Sequence, residues 1–333
     1  MYESFFGFRE RPFDLSPDPR YLVLTEAHRE ALSNLEYAVS SRKGVTLLIG
    51  EAGTGKTTVI RAALDRQPAR VHCVHLQNPA LSRSEFVEML GSRFGLSSRA
   101  TESKTAMLLE MESLLVARRQ QGEATVLIID EAQSLSLDLL EEVRLLANIE
   151  TNEEKLLSVI LAGQPELAER LNERSLRQLK QRVALRCGLR ALTPQESCAY
   201  VAGRIRAAGG VGAQTFTLEA VMLMHERAGG IPRTLSVIAD NSLLTGFALE
   251  QRPVNSRTVM EVCADLDLES TTAAAPAPAA PKATPAPAPG PTHASNRLIT
   301  FEPAAASTDS VTERPARLLD TGTGPKRRRF SIF

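Results

Sequence analysis

Five short apolar runs alternate with stretches of helical periodicity over the first 190 residues, and from Leu192 the helical pattern continues alone. The runs Val45 to Ile49, Thr125 to Ile129 and Leu157 to Gly163 are continuously apolar, as expected of strands buried on both faces. Arg70 to Leu76 alternates, and Arg182 to Arg190 sets Val183, Leu185, Cys187 and Leu189 on one face. Between these runs, Thr25 to Ser41 carries Ala31, Leu32, Leu35, Ala38 and Val39 at helical spacing, with Gly44 beyond as a stop. Ser82-Arg83-Ser84-Glu85 opens another helix with a capping box, and Met107, Leu108, Met111, Leu114 and Leu115 mark a third. A Leu-rich helix is expected from about Ser136 to Glu150. Strands joined by helices in this order predict an α/β fold with a doubly wound, parallel, five-stranded sheet. Thr193-Pro194-Gln195-Glu196 then opens a helical lid with helices near 194–208, 217–228, 232–249 and 255–266.

The loop after the first strand changes this from a fold prediction to a chemical one. Gly50-Glu51-Ala52-Gly53-Thr54-Gly55-Lys56-Thr57 fits the phosphate-loop pattern G-x-x-x-x-G-K-[ST], with an apolar strand before it and a helix from Thr57 and Thr58 after it. In that context the glycines turn backbone N–H groups onto a polyphosphate, Lys56 reaches β and γ oxygens, and Thr57 can ligate Mg²⁺. ATP or GTP is the expected ligand. The third strand ends on Asp130-Glu131, where ligands bind in open α/β sheets; Asp130 is the expected second metal-directing group and Glu131 the base that polarises water. The fourth strand ends on Gln164, an amide placed to orient that water or report the bound nucleotide. Arg233 follows Gly229-Gly230-Ile231-Pro232 in the first turn of a lid helix, an unfavourable place for a cation unless it serves a phosphate across the cleft.

Composition narrows the classes. With 39 basic and 39 acidic residues the formal net charge is zero, so the chain as a whole is no electrostatic binder of nucleic acid or membrane. The cysteines Cys73, Cys187, Cys198 and Cys263 are widely spaced and read as buried free thiols of a reducing compartment. His72 and His75 face opposite ways on one strand and read as structural. The first residues lack an export signal and no run of about 18 apolar residues occurs, which together predict a cytoplasmic protein. Thr271 to Pro291 is almost wholly Ala and Pro, a composition that buries no core and reads as a disordered spacer. Beyond it lies the terminal run Lys326-Arg327-Arg328-Arg329-Phe330-Ser331-Ile332-Phe333, suited to an acidic partner, anionic lipid or nucleic acid. The expected divisions are an N-terminal segment and helix (1–43), a nucleotide-binding subdomain (44–191), a lid (192–268) and a linker with basic tail (269–333).

The order of phosphate loop, Asp-Glu strand end, polar strand end and G-x-P-R lid resembles AAA+ ATPases of the branch that includes origin-recognition and transposition ATPases. More narrowly, Met1-Tyr2-Glu3-Ser4-Phe5-Phe6-Gly7-Phe8, Arg11-Pro12-Phe13, Ser16-Pro17-Asp18-Pro19-Arg20, Asp130-Glu131-Ala132-Gln133, Ala162-Gly163-Gln164-Pro165-Glu166-Leu167 and Leu176-Arg177-Gln178-Leu179-Lys180-Gln181-Arg182 resemble secretion ATPases of the ExeA/GspA type. The resemblance implies a P-loop AAA+ fold, Mg-ATP hydrolysis, and assembly into a ring or filament in which a neighbour's arginine completes the site. Arg182 is the first candidate for that arginine and Arg177 the second. It also implies partners in an envelope secretion or export system, with membrane contact only through a partner or the basic tail, peripheral to the inner membrane. In such families the N-terminal segment packs against the base, making Phe13 and Tyr21 either adenine neighbours or core residues. A DNA-binding regulator of the transposition type and a nucleotide-dependent scaffold are the alternatives.

Overall fold

The computed structural model describes residues 1–15, 24–68, 70–77, 80–152 and 154–268. The spacer and basic tail predicted beyond residue 268, and Tyr21, lie outside them. The elements run α1 Glu3–Phe6, α2 Glu26–Ser40, β1 Val45–Gly50, α3 Lys56–Asp65, β2 Val71–Leu76, α4 Arg83–Phe94, α5 Ser98–Glu102, α6 Lys104–Gln120 and β3 Ala124–Ile129. They continue as α7 Leu137–Leu146, β4 Ser158–Gly163, α8 Pro165–Arg170, α9 Arg177–Gln181, β5 Val183–Leu189, α10 Pro194–Ala207, α11 Gly212–Thr215, α12 Leu218–Ala228, α13 Pro232–Ala248 and α14 Ser256–Asp265.

All strand pairs are parallel, in the order β2-β3-β4-β1-β5. The three inner strands are the continuously apolar runs: every residue of β1 and β4 is buried, and β3 is buried from Thr125 onward. Their alternate side chains feed two cores. Leu47, Ile49, Leu127, Ile129, Val159 and Leu161 join the cluster under α4, α6 and α7, while Leu48, Val126, Ile128, Ile160 and Ala162 join α2 and α3 on the other face. The edge strands β2 and β5, each paired on one side only, are partly exposed. A third cluster fills the lid, and it contains Tyr2, Phe6, Phe8 and Phe13 from the N-terminus. Phe13, 1% exposed, lies against Phe216, so of the two readings open for it the core one holds.

Local differences from the sequence reading have simple causes. The helix expected to reach Glu150 stops at Leu146, because Glu150 instead bridges to Lys155 in the turn that feeds β4. Cys73 is exposed on the β2 edge and Cys198 is partly exposed, so burial is confined to Cys187 and Cys263. Helices α1, α5, α8, α9 and α11, each six residues or fewer, are too short for periodicity to reveal. Among the described residues no helix is long and apolar enough to cross a membrane.

Candidate functional site

The loop between β1 and α3 takes its shape from its glycines. Gly53 has φ +80°, and a Cβ there would lie 2.7 Å from Cβ of Arg233, so only glycine fits. Gly55 caps α3 without a side-chain acceptor, which leaves the first N–H groups of a ten-residue helix directed at the loop. Lys56 is 4% exposed; its Nζ donates to the carbonyls of Gly50 at 2.8 Å and Glu51 at 3.1 Å. Burial pulls its ammonium pKa down, and Glu131, Asp130, Glu51 and Glu166 oppose that shift. Thr54 closes the loop from within, its hydroxyl donating to Glu51 O at 2.8 Å.

Strand order brings the acids to this loop. Asp130, the first residue past β3, is 5% exposed and accepts from the Thr57 hydroxyl at 2.6 Å through Oδ2 and from the Glu131 amide at 3.0 Å through Oδ1. A hydroxyl and a carboxylate in contact are hard oxygen donors of the kind Mg²⁺ prefers, so the residues present fit the ion predicted for Thr57 and Asp130. Glu131 occupies a left-handed backbone conformation, φ 53°, uncommon outside glycine. The turn holds it there, with the amide and hydroxyl of Ser134 donating to its carbonyl at 2.9 and 2.8 Å. Because β4 separates β1 from β3, Gln164 emerges between loop and acids, and its Nε2 lies 3.4 Å from Glu131 Oε2.

Arg233 reaches the loop from the lid. Its amide donates to Gly53 O at 3.2 Å, and its exposed guanidinium has no ion-pair partner among the described residues. Arg182 and Arg177 are also exposed but lie elsewhere: Arg182 O accepts from Val45 N at the start of β1, the full six-residue strand away from the loop. Among the described residues no hydrogen bond or ion pair joins either side chain to the loop of its own chain. The structure thus brings together Gly50 to Thr58, Asp130, Glu131, Gln164 and Arg233, and leaves Arg182 and Arg177 apart.

Two neighbours of the site escaped the sequence reading. His28, 4% exposed, places Nε2 3.1 Å from Thr54 O and Nδ1 2.6 Å from Thr25 Oγ1. A carbonyl only accepts, so Nε2 carries the proton, and burial lowers the imidazole pKa in keeping with this neutral form. Gln133 donates to Glu131 Oε2 at 2.6 Å. Gln133 stands in the Asp130-Glu131-Ala132-Gln133 run that carries the family resemblance but was given no role there, and His28 offered only its place three residues past Thr25.

A family model for an AAA domain matches residues 39–171. General secretion pathway protein A of Aeromonas hydrophila is 40% identical over 248 residues, 74% of this chain and 45% of that protein. The chain therefore spans less than half of that relative's length. Among solved structures, the ORC2 protein of Aeropyrum pernix in ADPNP-ADP complexes superposes with a TM-score of 0.59 at 16% identity, covering 77% of this chain and 71% of that one. Drosophila ORC bound to DNA gives 0.56 at 21% identity, covering 77% and 64%, and Cdc6p of Pyrobaculum aerophilum gives 0.58 at 14%, covering 76% and 70%. At such identities these three show the fold alone.

Proposed function

This chain is an AAA+ P-loop protein of the general secretion pathway protein A type, and we propose that it hydrolyses Mg-ATP to drive the assembly or operation of a bacterial envelope secretion or export system. One observation carries the hydrolytic reading: Thr57 and Asp130 meet at 2.6 Å beside a buried Lys56, and Glu131 follows directly on a separately held turn. Lys56 binds the β and γ oxygens of ATP, and the loop amides of Gly50 to Thr58 cradle the phosphates. Thr57 and Asp130 would hold Mg²⁺, which when bound neutralises charge on the phosphate oxygens. Glu131 polarises the attacking water and Gln164 orients it. Arg233 contacts phosphate from the lid, so nucleotide binding and lid position are linked. Arg182, or failing it Arg177, serves the site of a neighbouring copy in a ring or filament, since its own loop is out of reach. The protein works on the cytoplasmic side of the envelope through its partners.

Nucleotide titration and steady-state phosphate release test this reading. Lys56→Ala should weaken magnesium-dependent ATP binding roughly 100-fold. Glu131→Gln should keep the affinity while turnover falls about 100-fold or more. Equal turnover in the native protein and Glu131→Gln would leave a scaffold in place of an enzyme. Mixing inactive Arg182→Ala with inactive Lys56→Ala should restore turnover if the arginine acts in trans. Strong stimulation by DNA that falls steeply with salt would instead mark a DNA-binding regulator.

A further inference from the structure

The side chain of Gln133 bridges two parts of the site that otherwise meet at a single 3.4 Å contact. Its Oε1 accepts from the main-chain amide of Gln164 at 3.1 Å, and its Nε2 donates to Glu131 Oε2 at 2.6 Å. Amide oxygens and nitrogens can be interchanged in structures, but here the orientation is fixed chemically: a main-chain N–H only donates and a carboxylate only accepts, so the reverse placement loses both bonds. The backbone of Gln133 is gripped as well, its carbonyl accepting from Arg170 Nη1 at 2.5 Å. Both ends of α8 therefore hold this one residue, Gln164 at the N-cap and Arg170 in the last turn. Space for it is provided by the last residue of β4, because a Cβ on Gly163 would lie 2.9 Å from Gln133 Oε1 and 2.8 Å from a methyl of Leu167.

Glu131 gains a defined orientation from this arrangement. Both amides, Gln133 and Gln164, direct their donors at the same carboxylate oxygen, Oε2. The carboxylate is thereby fixed in rotation with Oε1 clear of them. We propose that Gln133 is a positioning residue for hydrolysis, coupling the β4–α8 corner to the carboxylate of Glu131 so that Oε1 is presented to the attacking water. A shift of Gln164 at the nucleotide is passed through its main-chain N–H to Gln133 and then to Glu131. The inference rests on the reading of Glu131 as the base.

Gln133→Met preserves length and packing but has neither amide group; Gln133→Glu preserves the acceptor and replaces the donor with a like charge. Both should bind ATP within about twofold of the native protein while kcat falls roughly 10- to 100-fold, with thermal midpoints recorded to confirm folding. A packing role would leave the Met variant at native kcat. Combining Gln133→Met with Gln164→Ala, which keeps the main-chain donor, should cost less than the product of the two single losses. If native protein shows no turnover, or matches Glu131→Gln, the base reading fails and this inference with it. If Glu131→Gln is inactive while Gln133→Met and Gln133→Glu retain native kcat, the coupling alone is overturned.

Discussion

The α/β body and the helical lid put their polar groups to different uses. In the body the inner strands send mainly apolar side chains inward, and the polar residues that matter gather at the strand C-termini, where Asp130, Glu131 and Gln164 succeed β3 and β4. In the lid the polar groups lie inside the core itself. Arg204 is 8% exposed, and its guanidinium donates to Pro12 O at 2.6 Å, Asp14 O at 2.8 Å and the Tyr200 hydroxyl at 2.8 Å. Tyr200 in turn bonds Ser236 at 2.8 Å, and Tyr2 bonds Asp240. The body can thus vary its chemistry at loop positions without disturbing its core, whereas the lid is completed by the first fifteen residues of the chain. The two regions meet where Arg233 N donates to Gly53 O at 3.2 Å and where Arg190 pairs with Glu196.

The largest expected effect breaks the lid and spares the body. Phe13→Ala empties a fully buried ring position between Phe216 and Arg204 and should cost about 3–5 kcal/mol. Hydrogen exchange distinguishes the two regions: amides of α10 and α12 to α14 should lose protection, and those of β1, β3 and β4 should not. Equal loss everywhere would mean that lid and body unfold as one unit. Arg204→Met comes next, at roughly 2–3 kcal/mol, because it takes the guanidinium from the buried carbonyl of Pro12 and the partly buried one of Asp14. Urea midpoints should fall in that order, with nucleotide affinity measured well below the transition nearly unchanged.

The same contrast decides what could be read from the chain. Inner strands and the loop they support were legible because burial on both faces writes a continuous apolar run, and because a phosphate cradle demands glycine and lysine at fixed spacing. Two lid helices were legible through Thr193 at the cap and Pro232 in the first turn, and the structure adds caps at Thr217 and Asn255 for the other two. That Tyr2 to Phe13 close the lid core was not, since the contacts join residues from about 190 to more than 200 positions apart and aromatics near Pro carry no periodicity. Gln133 and His28 were missed for a related reason. Each acts through hydrogen bonds to a carboxylate or a backbone group, and such partners leave no pattern in local sequence.

The contact between lid and loop is where the two regions can be set against each other. Gly53→Ala forces a side chain into a left-handed position 2.7 Å from Arg233 Cβ. The backbone term alone is about 1–2 kcal/mol, so ATP affinity should fall roughly tenfold as the loop or the lid gives way. Arg233→Ala should not restore the loss, because alanine keeps the Cβ that the new side chain would meet. A Gly53→Ala protein with native affinity would show that the lid does not constrain the loop.

The smallest effect lies at the join, where Arg190 leaves β5 and Glu196 enters α10. Arg190 Nη1 and Nη2 grip the two oxygens of Glu196 at 2.7 and 3.1 Å, and Thr193 N donates to Glu196 Oε2 at 2.8 Å. These bonds, the arginine's first, hold the Glu196 carboxyl down from its ordinary 4.5 to about 2. A depressed carboxyl stabilises the fold fully above its unfolded pKa, so the contribution stands at neutral pH and drains away as pH falls from about 4.5 towards 2. Arg190 is half exposed and solvent screens the pair, which keeps the contribution small. Gln at the same helix position still caps Thr193 but cannot carry the charge, so Glu196→Gln isolates the ion pair from the cap. The stability difference between native protein and Glu196→Gln should be constant from pH 7 to 5 and shrink below that. A difference that persists unchanged at pH 3 would place the stabilisation in hydrogen bonding at the cap rather than in the charge that joins lid to body.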